Sequence, residues 1–151
     1  MNKRIKLYLL IALAVIIIMQ LVPIDRNNPP ITAKVNWDSP QTKETFYKAC
    51  ADCHSNETYW PWYSYIAPIS YIVSYDVVTG RQHFNISDTT KDERDEAARE
   101  VRRGTMPMAI YFPTHPQAKL SEQEKKQFIE GLIKTFGDKD PKDSKYNNQY
   151  N

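Results

Sequence analysis

Both cysteines of the chain fall in one five-residue stretch, Cys50-Ala51-Asp52-Cys53-His54, and nothing else in the sequence constrains the fold as strongly. Two thiols three positions apart share one helical turn, and an imidazole follows immediately. Cys-x-x-Cys-His is the spacing at which each thiol can close a thioether on a haem vinyl group while the imidazole meets the iron. The residues point to one covalently attached haem c per chain, anchored by Cys50 and Cys53, with His54 as the proximal iron ligand.

Two other uses of the same residues fit less well. A thiol–disulfide module would use a lowered thiol pKa. The chain lacks the βαβ pattern that surrounds such a site, and His54 would have no role in it. A zinc site would need more ligands than two cysteines and three scattered histidines arrange.

The compartment follows from the N-terminus. Lys3, Arg4 and Lys6 precede an apolar run from Leu7 to Val22 that only Gln20 interrupts. Residues 5–24 amount to about the 20 residues that cross a bilayer. With the charges ahead of the run, the N-terminus is expected in the cytoplasm and the rest of the chain outside. The exit, Gln20-Leu21-Val22-Pro23-Ile24-Asp25, offers no small-residue cleavage site. An uncleaved single-pass anchor in the cytoplasmic membrane is therefore favoured over a removed signal. The haem domain is expected on the periplasmic, extracytoplasmic side.

The chain divides into an anchor at 1–24, a linker at 25–37, a haem-binding domain at 38–137 and a disordered tail at 138–151. Asn27-Asn28-Pro29-Pro30 breaks any helix in the linker. The tail is polar except for its tyrosines. With 20 Lys and Arg against 18 Asp and Glu, the net charge of +2 gives no basis for binding nucleic acid.

The domain reads as all-α. A first helix starts near Ser39 and Pro40, a cap and a first-turn proline, and runs into Cys50. It puts Phe46 four residues before Cys50, on the same face and beside the haem. A second helix is expected over residues 68–79, with Gly80 as its stop. A third is expected over 91–103, opened by a Thr90/Glu93 capping box, thinly apolar and lying solvated on one side. The last begins at Ser121 with Glu124 closing a capping box, and Phe128, Ile129, Leu132, Ile133 and Phe136 form its stripe. It should pack across the first helix.

Aromatic residues make up 12% of the chain, and several cluster just after the motif. Trp60, Trp62 and Tyr63 are expected to line the haem crevice, where a large apolar ring with one polar tip is useful. Downstream, Met106-Pro107-Met108 follows Gly104. A methionine thioether opposite histidine is the usual axial pair of cytochromes c. Met106 is the first choice for the sixth ligand and Met108 the second, with His83 and His115 as further candidates.

The order of these motifs resembles the all-α class I cytochrome c fold. It is more closely similar to a bacterial family of membrane-anchored haem-binding domains. The residues that carry this resemblance are Cys50 to Ser55, Thr58, Pro61-Trp62-Tyr63, His83-Phe84-Asn85, Met106-Pro107, His115-Pro116 and Leu120-Ser121. It covers about residues 41–136 and implies the cofactor more firmly than a physiological task. Met108 stands where such proteins often have a second proline.

One haem motif, a His54/Met106 pair and no acid–base constellation near the motif favour a monohaem electron-transfer protein, not an enzyme, serving redox partner proteins. The alternative is a haem-based sensor or small haem enzyme with an open distal site.

Overall fold

The computed structural model describes residues 1–139. It is predominantly helical, with a small antiparallel hairpin in the middle. Helix α1 spans Lys3–Leu21 and buries no residue within the structure. It is the one helix among the described residues long and apolar enough to cross a membrane.

Residues 22–39 run without regular structure but are strapped to the domain. The Thr32 and Ala33 amides donate to the Ser87 carbonyl at 2.9 and 3.0 Å. Asn28 Nδ2 donates to the Thr58 carbonyl, and Asn56 Nδ2 to that of Pro30. Val35 and Trp37 pack against the core.

Helix α2, Pro40–Ala49, begins as its cap residues dictate, with the Ser39 side chain accepting from the Thr42 amide. It ends one residue before the motif. Cys50 leaves helical geometry at φ −131°, and a single further turn, α3, covers Ala51–His54. The break turns the two halves of the motif relative to one another.

Helix α4 spans Ile69–His83 and passes straight through Gly80. The expected stop at Gly80 is corrected: this glycine is a contact, not a terminator. A Cβ on it would stand 2.6 Å from the Cys53 carbonyl oxygen and 2.9 Å from Cys53 Cβ. Only glycine lets α4 approach the motif turn this closely.

The third helix is also corrected. Residues 88–92 form strand β2, paired antiparallel with β1, Phe84–Asn85. The Thr90/Glu93 capping box is not formed, because Thr90 is in the strand and its amide bonds Asp88 Oδ1 at 3.0 Å. A short 3-10 turn, Arg94–Glu96, leads into α5, Ala97–Arg103. This helix is not a solvated one. Ala97, Ala98 and Val101 are buried, because their small side chains let α5 pack close against the last helix.

Helix α6, Glu122–Phe136, has the expected capping box between Ser121 and Glu124, and Gly137 closes it at φ +91°. It crosses α2 where Gly131 meets Thr42. The core between α2, α5, α6 and β1 holds Phe46, Phe84, Val101, Phe128 and Leu132, with Trp37 tilted against Phe46 at 5.1 Å and Phe136 edge-on to it at 6.1 Å. The disorder expected from Asp138 onward falls, from residue 140, outside the described residues. Asp138 itself bonds Arg102 at 2.8 Å.

Candidate haem site

A cavity of about 430 Å³ opens between the motif turn, the second half of α4, α5 and the loop after it. That volume lies within the roughly 300–1,000 Å³ typical of cofactor pockets. Cys50, Cys53 and His54 are in its wall, together with Phe46, Met106 and Met108. Residues 46 and 108 are 62 positions apart along the chain, and the fold brings them to one space.

His54 is the most tightly specified side chain. It is buried, and its ring stacks on Phe84 at 4.2 Å and 13°. Nδ1 lies 3.2 Å from the Phe84 carbonyl oxygen. A carbonyl only accepts, so Nδ1 carries the proton and Nε2 keeps its lone pair for a metal. Burial pushes the imidazole pKa below its ordinary value, against the opposing pull of the Phe84 and Gly80 backbone. The ring is therefore neutral near pH 7, the state in which it ligates. The His54 carbonyl in turn accepts from the Ile86 amide at 2.9 Å, so the hairpin grips both ends of this residue.

Both cysteines are free and half-buried. Burial pushes each thiol up to about 12, with Cys53 adding to the rise at Cys50, and Asp76 and Asp52 adding to it at Cys53. A thiol–disulfide catalyst needs the opposite shift.

Met106 is delivered by two fixed points. Gly104 ends α5 in the left-handed region at φ +75°, where glycine is favoured. The Thr105 and Met106 amides then both bond the Glu100 carbonyl, at 3.1 and 3.3 Å. At the far end, the Tyr111 hydroxyl donates to Asp52 Oδ2 inside the motif at 2.7 Å. Burial and the Asp52 carboxylate raise the Tyr111 pKa.

Three expected crevice residues lie elsewhere. Trp60, Trp62 and Tyr63 are not in the cavity wall. Trp60 Nε1 bonds Asn28 Oδ1 in the strap, and Trp62 is 74% exposed. Trp62 and Tyr63 belong to a 3-10 turn, Trp62–Tyr65. His83 does reach the wall, exposed and paired with Glu93 at 2.9 Å. His115 is stacked on Tyr111 at 3.7 Å and is not in the wall.

The structure adds residues that pattern reading passed over. Arg81 bonds Ser55, Asn27, Asn28 and Thr58, tying the exit of the motif to the strap. Asn85 Nδ2 donates to Asn56 Oδ1 at 2.7 Å in a buried pair behind the motif. Asp52 accepts from the Tyr59 amide as well as from Tyr111. The His-x-Asn and Thr58 motif residues were the signal for part of this network.

No cluster of three or more His, Cys, Asp or Glu side chains arranged for a metal occurs among the described residues. Haem asks for none, since the porphyrin supplies four of the iron's ligands and the protein only the axial ones. A mainly apolar cavity, two thiols in its wall and one tautomer-fixed imidazole fit that group. Fold and site together define a small helical haem-binding module. A family model described as "Haem-binding domain" matches residues 14–134, most of the chain. The chain belongs to this haem-binding domain family. No curated protein and no solved structure matches it.

Proposed function

We propose that the chain is a monohaem c-type electron carrier, anchored in the cytoplasmic membrane by α1 with its domain on the outer side. The observation that carries this reading is His54: its Nδ1 is engaged by Phe84, and it shares one cavity wall with Cys50, Cys53 and Met106.

The roles divide as follows. Cys50 and Cys53 would hold the haem covalently through their sulfurs, and His54 Nε2 and the Met106 sulfur would ligate its iron. Phe46, Val101 and Leu132 give the cavity an apolar wall. Asp52 and Tyr111 hold the methionine loop to the motif turn. Bound there, haem supplies a one-electron iron couple, and the protein tunes it by ligand, burial and hydrogen bonds. Lys3, Arg4 and Lys6 ahead of α1 support a cytoplasmic N-terminus, and redox partner proteins would be met outside.

The test is made on membrane-fraction protein produced with haem-attachment machinery. Mass spectrometry should give the intact chain, N-terminus included, plus one haem. The reduced protein should be low-spin and refuse carbon monoxide. A high-spin spectrum with fast carbon monoxide uptake would overturn electron transfer in favour of a sensor or small haem enzyme, with His83 as the distal group.

A further inference from the structure

The anchor does not leave the domain freely. Gln20, one residue from the end of α1, donates through Nε2 to the Tyr65 carbonyl at 2.9 Å and accepts from the Ala67 amide at 2.9 Å. The Tyr71 hydroxyl donates to the Met19 carbonyl at 2.7 Å. Just beyond α1, Arg26 donates to the Ser64 carbonyl at 2.8 Å and lies 4.5 Å over the Tyr65 ring. The end of α1 is thus fastened to the Trp62–Tyr65 turn and the start of α4.

Around these bonds the domain exposes large apolar side chains. Trp62, Tyr65, Ile66, Ile69 and Ile72 are all exposed within eleven consecutive residues, the isoleucines by nearly half their surface. Ile69 and Ile72 are three apart on α4 and share a face. A patch of this kind marks a surface that something covers.

Its position says what covers it. With 19 residues rising about 1.5 Å each, α1 is about as long as the hydrocarbon layer is thick. When α1 spans, Gln20 lies at the outer lipid–water boundary, and any group hydrogen-bonded to Gln20 lies there too. Tryptophan and tyrosine are the residues that favour this boundary, with an apolar ring toward lipid and a polar tip toward headgroups.

We propose that the segment from Trp62 to Ile72 is a second membrane contact, seated in the headgroup layer of the bilayer that α1 crosses. Trp62, Tyr65, Ile66, Ile69 and Ile72 face the lipid. The inference rests on the reading of α1 as a retained anchor. It also relates the patch to the haem site: the cavity wall takes up α4 from Tyr75, about one turn beyond Ile72, and continues to His83, roughly 20 Å along the helix from Ile69. The cavity thus begins beside the patch and extends away from it along α4.

The test uses the full chain in nanodiscs of phosphatidylcholine and phosphatidylglycerol. A photo-reactive benzoylphenylalanine is placed in turn at Leu13 in the anchor, at Ile66 and Ile69 in the patch, and at Tyr47 on α2. After irradiation, lipid adducts are read by mass spectrometry. The expected result is lipid adducts at 13, 66 and 69 and their loss at 47. Adducts at 13 without adducts at 66 and 69 overturn the proposal while the anchor stands. Protein–protein adducts at 66 and 69 overturn it in favour of a second copy covering this face. No lipid adduct at 13 overturns the anchor and the proposal with it.

Discussion

The Tyr111 hydroxyl reaches back 59 residues to donate a hydrogen bond to Asp52 Oδ2 at 2.7 Å. Asp52 stands between the two cysteines, so this bond joins the loop bearing Met106 and Met108 to the turn bearing His54. Tyr111→Phe keeps the ring and its stacking on His115 but removes the donor. A hydrogen bond to a charged group is worth about 1.5–3 kcal/mol, and solvent access to Asp52 places this one near the lower end. Denaturant unfolding of the loaded protein should show that loss. Covalent haem should be retained, since neither cysteine nor His54 moves. A variant of unchanged stability would mean that the loop is held elsewhere.

Gly80 faces a tighter limit. Its missing Cβ leaves room for the Cys53 backbone, which cannot swing aside as a long side chain could. Gly80→Ala gains helix propensity, a gain of up to about 1 kcal/mol. Overpacking against Cys53 costs typically 1–3 kcal/mol, so the net effect should be destabilising. Because the clash falls on the motif turn, the yield of haem-loaded protein should drop along with the unfolding midpoint. A stabilised Gly80→Ala protein would show that α4 and the motif turn are not in contact as described.

These contacts mark the boundary of what the sequence made legible. Helices α2 and α6 were legible because their signals are local: Ser39 accepts from the Thr42 amide beside Pro40, which has no amide to satisfy, and Ser121 and Glu124 satisfy each other's backbone amides within one turn. The hairpin was not, since β1 has two residues and the polar run of β2 shows no alternation. Gly80 was misread because a glycine permits both an ending and a close approach, and only the neighbour decides. Ala97 and Ala98 looked like a thin face but are buried because α6 comes close. Among the residues lining the cavity, Phe46, the two cysteines and His54 could be named from spacing, and Met106 from its thioether beside Pro107. Asp52, Arg81 and Tyr111 could not, because each acts through partners distant in sequence. The tryptophans announced a large apolar area without saying which surface it serves.

The buried His54 imidazole gives the protein a defined acid response. Its folded-state pKa is depressed, so below the ordinary value near 6.5 the unfolded chain binds a proton that the folded chain refuses. The stability from this residue is fully present above that value and is lost as pH falls through it toward the depressed one. The denaturant midpoint should therefore fall between about pH 7.5 and pH 5.5. In a His54→Gln protein the fall over this interval should shrink. An undiminished fall in that variant would assign the acid response to another group.

Met106 and Met108 both reach the cavity, and separating them decides the distal ligand. The Met106 amide is pinned to the Glu100 carbonyl next to the Gly104 cap, whereas Met108 leads into the Ala109–Tyr111 turn and its carbonyl accepts from the Tyr111 amide. Met106 therefore has its backbone fixed three residues past the end of α5, an arrangement that presents a side chain reproducibly. Met106→Ala should leave the mass of the haem-loaded chain changed only by the substitution, while the spectrum turns high-spin and carbon monoxide binds. Met108→Ala should keep the low-spin spectrum and lose only packing, at most a few kcal/mol for a half-buried methionine. If the two spectra are exchanged, Met108 is the ligand and Pro107 separates it from a merely packed Met106. If both variants stay low-spin, a histidine closes the site, and His83, already in the wall beside Glu93, is the residue to replace next.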